Sequence, residues 1–140
     1  MKVMETMKKI LLVDDDEMQN YTTRQFLKSK YEVHTADSGE KAIELIRAGF
    51  RPDLIILDIL MPNMDGWETF NKLKMTNLID NVPIAFLTSL DRENFEKHAN
   101  DIGAADFFTK PLKESYIIKR VEHILDSASN EKMIDYHIIN

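Results

Sequence analysis

The tetrapeptide Leu54-Ile55-Ile56-Leu57 constrains the fold of this chain more than any other stretch. It is a short, unbroken apolar run, with Pro52 before it and Asp58 and an Asp65-Gly66 turn after it. A run of this kind reads as a strand covered on both faces, and such strands occur in parallel sheets flanked by helices. A second run, Ile10-Leu11-Leu12-Val13, has the same character and ends in Asp14-Asp15-Asp16. Two buried strands are therefore each tipped with carboxylate, which suggests one shared acidic pocket.

The remainder of the chain alternates between two periodicities. Strands are expected over 9–13, 31–36, 54–57, 83–87 and 105–109, and the second of these alternates in polarity as a more exposed strand does. Helices are expected over about 17–29, from Asp37-Ser38-Gly39-Glu40 to Gly49, over 67–76, over 91–103 and over 113–126. Asp37 is the expected N-cap of the second helix, with Glu40 three residues on, and Gly49 suits its C-terminal end. Ile117, Ile118, Val121, Ile124 and Leu125 form the inward stripe of the last helix. Five βα units in succession predict an α/β fold of the flavodoxin-like, doubly wound type, with five parallel strands and helices on both faces. In the strand order 2-1-3-4-5 the ligand crevice lies between the first and third strands, and these are the two acid-tipped ones.

A length of 140 residues fits one domain, expected over 7–126, with 127–140 as a C-terminal extension, a tail or the start of a linker. The net charge of −6 argues against direct nucleic-acid binding, which needs a basic face. The absence of cysteine excludes disulfides and thiolate metal sites. No apolar run approaches the roughly 18 residues of a membrane span. Met1–Met7 opens without a hydrophobic signal region, so the expected location is cytoplasmic.

Four strand ends fall at one edge of the expected sheet, and they carry Asp14-Asp15, Asp58, Thr88 and Lys110. Crowded carboxylates repel one another unless a cation compensates. Mg²⁺ suits such a pocket, since it takes one or two carboxylates, a carbonyl and several waters. A carboxylate beside Mg²⁺ is also a nucleophile toward phosphorus, with a lysine and a hydroxyl to stabilise the transferring group. The set has the parts of an aspartyl-phosphate site.

At these residues the chain resembles the receiver domains of two-component response regulators. The resemblance spans about 7–126 and rests on four motifs in order: Leu12-Val13-Asp14-Asp15, the stretch from Leu57-Asp58 through Met61-Pro62 to Asp65-Gly66, Leu87-Thr88-Ser89, and Thr109-Lys110-Pro111. It implies Asp58 as phosphoacceptor, Asp15 as the direct carboxylate ligand of Mg²⁺, Asp14 as an acid acting through metal-bound water, and Leu60 as donor of a backbone carbonyl to the metal. It implies Thr88 as the switch hydroxyl, Lys110 as the phosphoryl-contacting lysine, Ser89 as a small access residue and Phe107 as an aromatic rotamer switch. The Lys110–Pro111 bond resembles one that is commonly cis in the family. Leu60 and Leu90 are apolar where polar side chains can guide an attacking water. The implied partners are a sensor histidine kinase or phosphotransfer protein, and a downstream protein reached through the fourth helix, fifth strand and fifth helix. The tail is read as cover for that face, as a homodimer contact, or as the start of a linker.

Blander readings stand beside these. Asp16 and Glu17 suit a helix N-terminus, Phe107 suits a core, and Asn20-Tyr21-Thr22 matches a glycosylation acceptor by chance. His34, His98, His123 and His137 show no ligand spacing. Rival functions make demands that can be compared with the sequence. A Mg²⁺-dependent aspartyl-phosphate phosphatase of the haloacid-dehalogenase type needs a second Asp where Leu60 stands, and a cap segment for which the chain has no room. A receiver excised from a larger regulator or hybrid kinase keeps the same site. An inert receiver-like module lacks Asp58, Asp15 or Lys110, and P-loop hydrolysis lacks its glycine-rich motif.

Overall fold

The structure is a computed structural model that describes residues 6–89 and 103–139, with side chains described as far as residue 128. Five strands form one parallel sheet: β1 (Lys9–Val13), β2 (Glu32–Ala36), β3 (Leu54–Asp58), β4 (Ile84–Thr88) and β5 (Asp106–Thr109). Their order is β2-β1-β3-β4-β5, as expected. The helices among the described residues are α1 (Glu17–Leu27), α2 (Gly39–Arg47), α3 (Gly66–Met75) and α4 (Glu114–Ile139). The helix expected over 91–103 falls almost wholly outside the described residues.

The unbroken apolar runs are explained by the layers. Successive strand residues point to opposite faces, so a strand roofed on both sides needs apolar residues throughout. Leu11, Val13, Ile55, Leu57 and Phe86 pack with Ala42, Ile43 and Ile46 of α2 and with Phe70 and Leu73 of α3. Ile10, Leu12, Leu54, Ile56 and Leu87 pack on the other side with Leu27 of α1 and with Ile117, Val121 and Leu125 of α4.

Local chemistry fixes the helix ends that frame the site. The Asp16 carboxylate caps α1 by accepting from the Met18 and Gln19 N–H groups, at the helix N-terminus where the sequence reading placed it. Asp65 caps α3 by accepting from Glu68 N–H. The N-cap of α2 is Ser38, not Asp37: Ser38 Oγ accepts from Lys41 N–H at 3.1 Å. Both residue types can cap, and the one next to the first helical residue does so. At the far end of α2, Gly49 has φ +110, as expected of its position. The Gly49 N–H donates to Ile46 and the Phe50 N–H to Leu45, the paired bonds of a Schellman ending.

The last helix corrects the sequence reading. It does not stop near Asp126 but runs to Ile139. Among the described residues no helix is long and apolar enough to cross a membrane.

Candidate functional site

The site lies at the C-terminal ends of β1, β3 and β4, and of β5 beyond them. β1 delivers Asp14, 2% exposed, and the chain then turns outward so that Asp15 is exposed. β3 delivers Asp58, 3% exposed. Carboxylate oxygens of Asp14, Asp15 and Asp58 all lie within 4.8 Å of one another. Thr88 ends β4 and is fully buried. Lys110 follows β5, with its N–H donating to the Thr88 carbonyl at 2.8 Å. Its side chain reaches back across the sheet, placing Nζ 3.1 Å from Asp14 Oδ2 and 3.4 Å from Asp58 Oδ1. The Lys110–Pro111 bond is cis, as the resemblance implied.

Two backbone features set the carboxylates. Asp14 Oδ1 accepts from the Asp16 N–H at 3.0 Å, closing a tight turn that aims the side chain into the pocket. Gly66 packs onto the end of β3, its N–H donating to the Ile59 carbonyl at 2.8 Å. A Cβ there would fall 2.3 Å from the Asp58 carbonyl oxygen, so only glycine permits this approach.

The electrostatics follow from burial and crowding. Burial raises the Asp58 pKa from its ordinary 3.8, and the nearby Asp14 charge raises it further, against the pull of Lys110; it stands at about 7. Burial works against the Lys110 ammonium, but Asp14 and Asp58 more than offset it, and the lysine pKa is raised. Asp14 Oδ2 is buried beside the ammonium yet accepts no hydrogen bond of good geometry. An unsatisfied buried oxygen within a cluster of three carboxylates, all hard oxygen donors, fits a divalent cation such as Mg²⁺. The cluster holds more negative charge than one lysine neutralises.

The other expected residues are placed as follows. Leu60 is 55% exposed, just beyond Asp58, so its side chain stands away from the core. Ser89 is exposed. Phe107 is half-buried on β5, in register with Phe86 of β4, and packs on the core cluster shared with α2 and α3. Leu90 lies outside the described residues. Sequence reasoning missed Asn20, a buried residue whose side chain binds the backbone at the end of β1. It also saw the Asp65-Gly66 turn without seeing how closely Gly66 approaches Asp58.

Over residues 10–122 the chain matches the response regulator receiver domain family, and it belongs to that family. It is 34% identical to the response regulator MprA of Mycobacterium sp. (strain KMS) over 125 residues, covering 89% of this chain and 53% of that protein. It is 37% identical to the alkaline phosphatase synthesis transcriptional regulatory protein PhoP of Bacillus subtilis (strain 168) over 119 residues, 84% of this chain and 48% of that one. The chain thus spans about half the length of these curated relatives. Among solved structures it is similar to the chemotaxis protein CheY4 of Vibrio cholerae, with a TM-score of 0.79 and 28% identity, covering 85% of this chain and 99% of that one. Receiver domains are signalling switches of two-component systems, not turnover catalysts; they interact with histidine kinases and downstream targets and generally bind Mg²⁺ at an acidic pocket. Some relatives are larger enzymes: a probable cyclic di-GMP phosphodiesterase of Vibrio cholerae, 32% identical over 127 residues, matches 90% of this chain but only 29% of its own length.

Proposed function

We propose that this chain accepts a phosphoryl group on Asp58 from the phosphohistidine of a partner kinase or phosphotransfer protein, and that the modification changes a protein-binding face. The observation that carries the reading is the Lys110 ammonium, held 3.1 Å from Asp14 and 3.4 Å from Asp58 at the rim of a buried sheet. A cation so placed lies next to the group that would receive negative charge. An Asp58 carboxylate oxygen attacks phosphorus; the O–P bond forms as the P–N bond breaks, and the electron pair of that bond returns to the imidazole. Lys110 pairs with the incoming phosphoryl oxygens, and the Thr88 hydroxyl donates a hydrogen bond to one of them.

Asp15, Asp58 and the Leu60 carbonyl are the groups that would hold Mg²⁺, with Asp14 acting through a metal-bound water. The ion, when bound, supplies neutralisation of charge on the transferring group. Engagement of Thr88 by the phosphoryl group draws it toward the pocket and frees space for Phe107 to turn inward. That turn reshapes the face carried by β5 and α4, which is the proposed docking surface for a downstream protein. Such coupling is a population shift, driven by about −1.5 to −2 added charges and three acceptor oxygens.

A phosphatase that turns over at Asp58 is disfavoured by Leu60, which places an apolar exposed side chain where that chemistry needs an acid. The test is intact mass before and after exposure to a small-molecule phosphodonor with Mg²⁺. One phosphoryl group is expected on the wild type and none on Asp58→Asn. Undiminished addition to Asp58→Asn would overturn the assignment.

A further inference from the structure

Asn20 is buried, 8% exposed, in the first turn of α1, on a helix whose neighbouring residues Met18 and Tyr21 are open to solvent. Its Nδ2 donates to the Asp14 carbonyl at 2.9 Å and to the Ala36 carbonyl at 3.4 Å. The Ala36 carbonyl also accepts the Asp14 N–H at 3.1 Å. Val13 and Ala36 are the last residues paired between β1 and β2. Past that pair the two strands separate, and the Asn20 amide supplies the next rung between them.

A buried amide side chain is costly unless its hydrogen bonds are made, and a leucine of similar size would fill the same space without that demand. Packing therefore does not account for an asparagine here, whereas the two carbonyls do. With its carbonyl held by Asn20, the Asp14–Asp15 peptide plane cannot rotate freely. That plane fixes the direction in which the Asp15 side chain leaves the backbone. Asp14 is tied at its N–H by Ala36, at its carbonyl by Asn20, and at Oδ1 by the Asp16 N–H. Asp15, exposed and one residue on, takes its orientation from this frame.

We infer that Asn20 is a positioning residue for the metal pocket: by bridging the ends of β1 and β2 it holds the Asp14–Asp15 peptide so that the Asp15 carboxylate meets a divalent cation. The inference rests on the reading of Asp15 as a metal ligand. Groups that orient metal ligands without touching the metal typically change affinity about 10- to 100-fold when removed.

The test is a Mg²⁺ titration of the full chain, followed by amide NMR shifts and by fluorescence of Trp67, the single tryptophan. Four proteins are compared: wild type, Asp15→Ala, Asn20→Leu and Asn20→Gln, each checked for folding by thermal melt. Asn20→Leu should weaken Mg²⁺ binding about tenfold while remaining folded. Asn20→Gln, which keeps a donor, should recover most of the loss, as a purely space-filling role would not require. If Asp15→Ala binds like the wild type, the metal reading falls and the inference with it. If Asp15→Ala is weak but Asn20→Leu binds like the wild type, the inference alone falls. Should Asn20→Leu fail to fold, the wild type decides: its Asn20 side-chain amide resonances should shift as Mg²⁺ is added, and unchanged resonances would overturn the proposal.

Discussion

β2 and β3 each bring an aspartate to the same edge of the sheet, Asp37 just past β2 and Asp58 at the end of β3, and the two have opposite fates. β2 runs into Ala36-Asp37 at the sheet edge, where Asp37 is exposed and Glu32 and His34 along the strand are exposed too. β3 runs into Asp58 at the centre, and all five of its residues are buried. The carboxylate at the edge is open to solvent, whereas the one at the centre is desolvated and crowded by Asp14. The residue alone does not make the site. The position of its strand within the sheet does, through the water that position excludes.

The comparison can be broken most severely in the strands themselves. Ile56→Ala in β3 should cost about 2–5 kcal/mol, because Ile56 is roofed by helices and leaves a cavity. Val33→Ala in β2, only half-buried, should cost about 1 kcal/mol. Urea unfolding measures both, and equal losses would mean that centre and edge contribute alike.

A smaller effect is expected in the pH dependence of stability. Without metal, Asp58 keeps its proton up to about pH 7 when folded, against an ordinary value of 3.8 when unfolded. Between those values the folded state binds more protons, so this group makes stability fall as pH rises through the window. Asp58→Asn should therefore flatten the slope of thermal midpoint against pH and raise the midpoint most at pH 8. A steeper slope in Asp58→Asn would reverse the assigned sign.

The smallest effect concerns the lifetime of the modified state. The Leu60 side chain offers no polar atom to guide water toward a phosphoryl group on Asp58. Decay of the phosphorylated wild type should be slow, and Leu60→Asn should speed it severalfold. The comparison sharpens if decay is followed by intact mass in both proteins, and a slower variant sinks the idea.

Most of the architecture was legible because burial on two faces leaves a mark in sequence. The bounds of β1 follow directly from its apolar run, and the order of the strands follows from two runs that both end in acid. Asp14 and Asp58 stood out for the same reason, since each sits at the end of such a run, whereas Lys110 follows the less buried β5 and was marked only by its motif. Other features left little trace. Asn20 acts on backbone carbonyls of Asp14 and Ala36, which any residue would supply, so no side-chain pattern marks it. The extent of α4 was missed because 127–139 interrupt the inward stripe with polar residues. The cap of α2 was misplaced by one residue because Asp37 and Ser38 carry equivalent acceptors.

The reach of Lys110 has a consequence for how the protein comes to exist. The sheet order sets β4 between β5 and β3, and β3 between β4 and β1, so the lysine side chain reaches past β4 to Asp58 and past β3 to Asp14. Synthesis proceeds from the N-terminus, and both carboxylates leave the ribosome long before their ammonium partner. A nascent chain ending short of β5 holds the acids without the counter-charge. The pocket is therefore finished by nearly the last piece of the domain to be made, and its competence for charge chemistry reports that the whole sheet is in place.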